Sequence, residues 1–371
     1  MKILIDLTSL YYHITGIERY AMELTGAMLS GRQDFSYILV FQNEIHESFI
    51  KYRDCGNVEI VIIKGSNRII TGQIKLPLAL HKHKADAYLF PAFPCPVLFG
   101  KANTYVAIHD MSPWDCGADM KMLSRVYFKM ADRHSFRVAK KIITVSRFSM
   151  TRIEALSGRK GSDIWLVYDG VSAFEKSDTD IFKKYGLPQN YILSLATLEP
   201  RKNLKLLLRA YKELSENSDK LPKLVLAGRS GWKIAEALGQ DSVAAMKNVI
   251  FTGYIDEKDM AAVYQNATFF VFPSKYEGFG LPPLEAMSMG VPVLASDAAS
   301  LPEVLGDAAI YFSNDDVEDL KAKLLQISGL DDCERNEMAE AGYKNARRFS
   351  WAEEAYKLSK KIETCGVKVR L

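Results

Sequence analysis

Phe269-Phe270-Val271-Phe272-Pro273-Ser274-Lys275-Tyr276-Glu277-Gly278-Phe279-Gly280-Leu281-Pro282-Pro283-Leu284-Glu285-Ala286 decides how this chain is read. Its first four residues are wholly apolar, as a strand buried on both faces of a parallel sheet requires. Pro273 ends the run, a glycine loop follows, and a helix opens at the proline pair, proline being suited to a first helical turn. Gly278 and Gly280 let a backbone approach a ligand closely and offer unhindered N–H donors. Glu277 falls in the loop and Glu285 on the first helical turn. Carboxylates accept hydrogen bonds from vicinal hydroxyls, so the pair suits two sugar rings. A helix start that favours acids for dipole reasons would explain Glu285 but not Glu277.

Upstream, Tyr191 to Ala196 reads as a strand that runs into Thr197-Leu198-Glu199-Pro200-Arg201-Lys202-Asn203-Leu204. Arg201 and Lys202 stand where a helix begins, with Asn203 as its cap. Cations beside free helix N–H groups favour an anion, and a diphosphate is the natural ligand. On these residues alone, two surface cations at a helix start remain an equal reading. Lys223 to Ala227, Val249 to Thr252 and Pro292 to Ala295 read as further strands, and Asn203 to Leu214 as a helix.

The same alternation fills the first half. Ile3 to Leu7, Tyr37 to Phe41, Val58 to Ile63, Ala87 to Phe90, Thr104 to Ile108 and Lys141 to Val145 read as strands. Ile17 to Leu29 and Lys121 to Ala139 read as helices. Alternating strands and amphipathic helices give an α/β class with parallel sheets. A length of 371 residues fits about two domains. The expected division is 1–172, a polar linker at 173–186, 187–350, and a C-terminal helix at 351–371 able to pack on the first domain.

Composition narrows the function classes. The chain is 48% hydrophobic and 25% charged with a net charge of +3, which does not suggest a nucleic-acid binder. Five dispersed cysteines without C-x-x-C spacing read as reduced thiols rather than a disulfide frame or zinc site. Ile3-Leu4-Ile5 is interrupted by Asp6, too early for a signal peptide, and no run reaches the ~18 apolar residues of a membrane span. The expectation is a cytoplasmic protein, with any membrane contact peripheral at the inner face.

The Glu277–Glu285 segment resembles the E-x7-E motif of family-4 retaining glycosyltransferases with the GT-B fold. Glu199-Pro200-Arg201-Lys202-Asn203 is similar to their phosphate-binding segment. The likeness spans nearly the whole chain: Thr15-Gly16-Ile17-Glu18-Arg19-Tyr20, Ala107-Ile108-His109-Asp110, Thr144-Val145-Ser146 and Asp169-Gly170-Val171 resemble further family segments. Thr15 replaces a common second glycine, and Asp169 a common asparagine. The resemblance implies two Rossmann-like domains facing a central cleft, a nucleoside-diphosphate sugar as donor, and neither cofactor nor metal. It implies that Arg201 and Lys202 neutralise the departing diphosphate and that Glu277, with the backbone of Gly278, Phe279, Gly280 and Leu281, holds the transferred sugar. Glu285 would bind the ribose, Gly16 would approach the phosphates, His109 would face the reacting sugar, and Gly253-Tyr254-Ile255, after a strand, would flank the base. Same-face attack by the acceptor hydroxyl follows from the same resemblance.

The wording of Glu277 to Glu285 is similar to that of mannosyl- and rhamnosyltransferases, so GDP-mannose is the first donor. The implied acceptor is a sugar or lipid-linked glycan in O-antigen-type surface-polysaccharide (lipopolysaccharide) assembly. A nucleotide-sugar epimerase or hydrolase, and a non-catalytic partner subunit, are the alternatives on this fold. Lys121, Arg125, Lys129, Arg133 and Arg137 put a cation at every fourth residue of one helix, with Lys140 and Lys141 after them. That face suits anionic lipid or a lipid-diphosphate acceptor, or is an ordinary solvated face. His109 alone reads as readily as a structural histidine. His81 and His83 lack partners for a metal shell and read as surface. Asp178-Thr179-Asp180 is a D-x-D by letters only, since no strand precedes it. Phe90 to Phe99 reads as a buried connection, with an apolar acceptor lip as its alternative.

Overall fold

Short runs of Ile, Val, Leu and Phe favour the middle of a layered structure, and the inner strands they form are covered on both faces. The computed structural model describes residues 1–11, 14–117, 120–172, 179–195, 199–216, 221–228 and 248–367. The chain divides into two units: Met1–Gly170 together with the segment from Phe349 onward, and Val171–Arg348.

In the first unit seven strands form one sheet: β1 (Lys2–Asp6), β2 (Ser36–Gln42), β3 (Val58–Ile63), β4 (Ala87–Phe90), β5 (Thr104–Ala107), β6 (Lys141–Thr144) and β7 (Ile164–Leu166). Their order is β3-β2-β1-β4-β5-β6-β7, and the pairings are parallel. In the second unit β8 (Tyr191–Leu195), β9 (Lys223–Ala227), β10 (Val249–Gly253), β11 (Phe269–Phe272), β12 (Val293–Ser296) and β13 (Ala309–Phe312) follow the order β10-β9-β8-β11-β12-β13, again parallel. Each sheet reverses its winding direction once, between β1 and β4 and between β8 and β11. Both sheets are Rossmann-like, as the GT-B expectation requires of each unit.

The helices used below are α1 (Gly16–Gly31), α2 (Leu76–Lys82), α3 (Met122–Val138), α4 (Arg147–Ser157), α5 (Ile181–Tyr185), α6 (Leu204–Ser215), α7 (Met260–Gln265), α8 (Leu281–Ser288), α9 (Leu301–Leu305), α10 (Val317–Ser328), α11 (Asp332–Ala346) and α12 (Trp351–Val367). Helix starts obey local chemistry. Ser146 caps α4 by accepting from Ser149 N–H at 3.0 Å, and Asp331 closes a capping box with Glu334 on α11.

The expected linker carries a built element. Within 173–186, α5 is capped by Asp180, which accepts from Lys183 N–H at 3.2 Å. Its Lys184 pairs with Asp256 and with the buried Asp259, each at 2.6 Å. The D-x-D letters therefore include a helix cap, and Asp178 lies outside the described residues. The last helix belongs to the first unit, where α12 lies against α1. Two edge strands, β7 and β13, are additions to the sequence reading.

Candidate functional site

The reversal between β8 and β11 is where an open α/β sheet presents a crevice at the carboxyl ends of its strands. The loops after these two strands carry Arg201 with Lys202 and Glu277, and the strand order makes them neighbours. Lys275 N–H donates to Arg201 C=O at 2.7 Å, a backbone bond between the loops. Lys202 Nζ lies 2.7 Å from Glu277 Oε1, and Arg201 lies 3.4 Å from Oε2. Arg201 also pairs with Glu199 at 2.6 Å and donates to Tyr276 C=O at 3.3 Å. Lys202 stands 5.3 Å from the Phe272 ring. The two motifs read separately in the sequence thus form one cluster.

Glu277 is buried. Burial pushes its pKa up, but the Lys202 and Arg201 charges outweigh it, and the carboxyl is held below the ordinary value. The buried Ser300 hydroxyl lies 3.0 Å from Glu277 C=O and 2.9 Å from Phe279 C=O, fixing the glycine loop from beneath. Gly280 precedes α8 at φ 101°, where a Cβ would come within 2.6 Å of Leu301 Cδ2. Glycine is required there on both counts.

Several expectations need correction. Arg201 and Lys202 sit on a separate 3₁₀ turn, Pro200–Lys202, rather than at the start of α6. Asn203 makes no side-chain cap; it is left-handed (φ 53°), and its amide donates to Asp315 at 3.1 Å. Glu285 is the fifth residue of α8, beyond the first turn, because the helix opens at Leu281. It is buried and accepts from Tyr264 O–H of α7 at 3.0 Å. Phe279, Leu281 and Ile255 are buried in the core, so contact with a donor would use their backbone. Gly253 closes β10 at φ 72° rather than following it, and Tyr254 is exposed.

Sequence reasoning quoted Glu199 without giving it a role and missed Tyr264, Ser300 and Asp315. Asp315, left-handed at φ 64°, accepts from Asn203 and pairs with Lys275 at 2.7 Å, tying the two loops together. The only available signal was position: Ser300 follows β12 and Asp315 follows β13, and β13 was itself unread.

In the first unit, Gly16 opens α1, and a Cβ there would meet nothing within 4 Å. His109 follows β5; its Nε2 lies 2.8 Å from Pro91 C=O, and its ring packs edge-on to Tyr20 at 4.7 Å. Its own carbonyl accepts from Ser149 O–H at 2.9 Å. Burial holds the imidazole pKa down, against Pro91 C=O and Asp110, and so favours the neutral ring. On α3, Lys129 and Arg133 lie over the Trp114 ring at 4.8 and 4.7 Å, and Arg125 packs on Gly117. Lys121 stands at the N-cap position of α3 without a side-chain cap, and Arg137 lies in its last turn. Among the described residues none of these five cations is ion-paired. The same helix exposes Met122 (79%), Leu123 (86%), Val126 and Met130, an apolar stripe missed in the sequence. Phe99 is buried in the first core, as a buried connection requires, while Leu98 is exposed.

The description of glycosyl transferases, group 1, matches residues 177–347. O-antigen chain mannosyltransferase B of Escherichia coli is 32% identical, over 95% of this chain and 96% of that protein. Sucrose-phosphate synthase from Thermosynechococcus elongatus superposes with a TM-score of 0.78 at 17% identity, covering 99% of each chain. HepE from Anabaena, solved in complex with UDP-glucose, gives a TM-score of 0.73 at 15% identity over 98% of this chain and 100% of its own. At those identities the two solved structures speak for the fold.

Proposed function

Because this chain belongs to the group 1 glycosyl transferases, we propose that it moves mannose from a nucleoside diphosphate, GDP first, to a glycan or lipid-linked glycan of the O-antigen type. The observation that carries the reading is the Lys202–Glu277–Arg201 cluster at the β8/β11 reversal. Breaking the bond between the sugar's anomeric carbon and the β-phosphate oxygen leaves negative charge on the diphosphate. Two preorganised cations beside that oxygen lower the barrier without needing a metal ion. Glu277 is already engaged by both cations, which disfavours its use as a covalent nucleophile. That supports same-face attack with retention: the acceptor oxygen bonds to the anomeric carbon and its proton passes to the departing phosphate. Glu285 is proposed for the ribose, and Gly16, His109, Gly253 and Tyr254 keep the roles that the family likeness implies.

The α3 face supports a membrane-apposed acceptor. Met122, Leu123, Val126 and Met130 would enter the interface while Lys121, Arg125, Lys129, Arg133 and Arg137 meet anionic headgroups. No helix among the described residues is long and apolar enough to cross a membrane, so the contact proposed is peripheral.

The test is thermal shift against GDP, UDP, ADP and dTDP in the presence of a chelator, followed by transfer from the stabilising donor and NMR of the product's anomeric configuration. A rise with GDP that Arg201→Ala abolishes is expected. No rise with any nucleotide would remove the donor-site assignment. Donor turnover without an acceptor would point instead to a hydrolase or epimerase, and loss of activity on chelation would end the metal-free reading.

A further inference from the structure

The amino ends of β5, β6 and β7 carry a feature that the transferase reading does not use. A cavity of about 740 Å³ opens there, on the edge of the sheet opposite His109, against the last turns of α12. Its floor is Trp165, stacked on Tyr105 at 5.5 Å. Around that indole stand four lysines: Lys140 and Lys141 from the start of β6, Lys360 and Lys361 from α12.

Their charges are only half compensated. Lys141 pairs with Asp163 at 2.8 Å, and Lys360 with Glu363 at 3.6 Å, a carboxylate shared with Arg32 at 3.3 Å. Lys140 donates to the neutral carbonyl of Cys365 at 2.9 Å. Among the described residues Lys140 and Lys361 have no carboxylate in ion-pair contact, and Lys361 reaches over the Trp165 ring at 5.8 Å. Burial, with help from Lys357, lowers the Lys361 pKa despite Glu354. A lysine with no carboxylate in contact keeps hydrogen-bond donors that a bound phosphate can accept. The cavity is roomy enough for a phosphate with a sugar-sized or glyceryl body lying on the indole.

We propose that this cavity is a second, phosphate-binding site, with Lys140 and Lys361 holding the phosphate and Trp165 stacking the attached body. The phosphate comes either from a soluble phosphorylated sugar or from a lipid headgroup. The site lies in the first unit, whereas the Arg201 cluster belongs to the second, and it does not depend on the transferase reading.

The experiment uses the full chain labelled with 5-fluorotryptophan, its resonances assigned by single Trp→Phe replacements. Glucose 1-phosphate is titrated in one arm and dihexanoyl phosphatidic acid, below its micelle concentration, in the other. The Trp165 resonance should move in at least one arm while that of Trp351 stays, and Arg201→Ala should not alter the movement. Lys140→Gln with Lys361→Gln should weaken binding by at least roughly tenfold, since charge-assisted hydrogen bonds are lost. Movement with glucose 1-phosphate identifies a soluble ligand, and movement with phosphatidic acid alone a lipid headgroup. A Trp165 resonance unmoved by both, or moved equally in the double variant, would overturn the proposal. Unchanged Trp114 and Trp351 resonances establish that the variant is folded.

Discussion

Lys202 and Glu277 are separated by 75 positions in the chain and by 2.7 Å in space. Lys202→Met leaves a buried carboxylate with the longer Arg201 contact and the Ser274 side chain, so a loss of about 2 kcal/mol is expected at neutral pH, below the ~3–5 of a wholly unpaired charge. In the native protein the Glu277 pKa is depressed below 4.5, so its contribution is present above that pH and lost as pH falls through the lower value. Removing Lys202 raises that pKa, and the deficit of the variant should therefore shrink toward pH 4. Urea unfolding at both pH values measures this, and a deficit that grows on acidification contradicts the pairing. Asp132 behaves oppositely. Burial pushes its pKa up to about 7, with Asp110 adding and the Trp114 indole N–H, 2.9 Å away, opposing. Stability from this group is present below 3.8 and lost as pH rises through 7. Asp132→Asn should flatten the stability profile between pH 4 and 7 while wild type declines. The types of residue in the Lys202–Glu277–Arg201 cluster were legible because charge beside glycine after an apolar run is a local pattern. That Glu277 would be held by both cations was not, because it depends on which strands become neighbours.

At the scale of elements, burial helped legibility without deciding it, since the half-buried edge strands β3 and β10 were read as well. β8, β9, β11 and β12 lie inside the second sheet, and their continuous apolar runs announced them. The edge strands β7 and β13 have three and four residues, mostly half-buried, and too little pattern to stand out. Missing β13 hid the Asp315 turn that follows it, and so the clamp joining Asn203 to Lys275. Asn203 makes that clamp testable, because it combines a left-handed backbone with a hydrogen bond. Asn203→Gly keeps the backbone and loses the bond, about 1 kcal/mol. Asn203→Ala loses the bond and adds a left-handed penalty of roughly 1–2 kcal/mol. The urea midpoint should fall further for alanine than for glycine. Equal falls would mean that the left-handed turn carries no cost of its own.

At the scale of the whole molecule, the first unit is not one stretch of chain. It is left at Gly170 and resumed at Phe349, and the two crossings are packed together. Tyr168 and Phe349 meet edge-on at 5.5 Å, and Tyr168 N–H donates to the buried Glu354 of α12 at 3.2 Å. A Cβ on Gly170 would lie 2.4 Å from the backbone nitrogen of Trp351 and 2.6 Å from its ring. Backbone cannot swing aside as a flexible side chain does, so Gly170→Ala must displace the start of α12. Trp351 packs on Tyr20 at 5.6 Å, and Tyr20 on His109 at 4.7 Å, so the displacement reaches the loop after β5. Overpacking of this kind costs about 1–3 kcal/mol. Because the strain lies wholly within the first unit, calorimetry should show its transition moved down, with the GDP-dependent rise expected of the second unit retained. A uniform shift that also removes the nucleotide response would show instead that the two units unfold as one, and that the crossing at Gly170 matters to both.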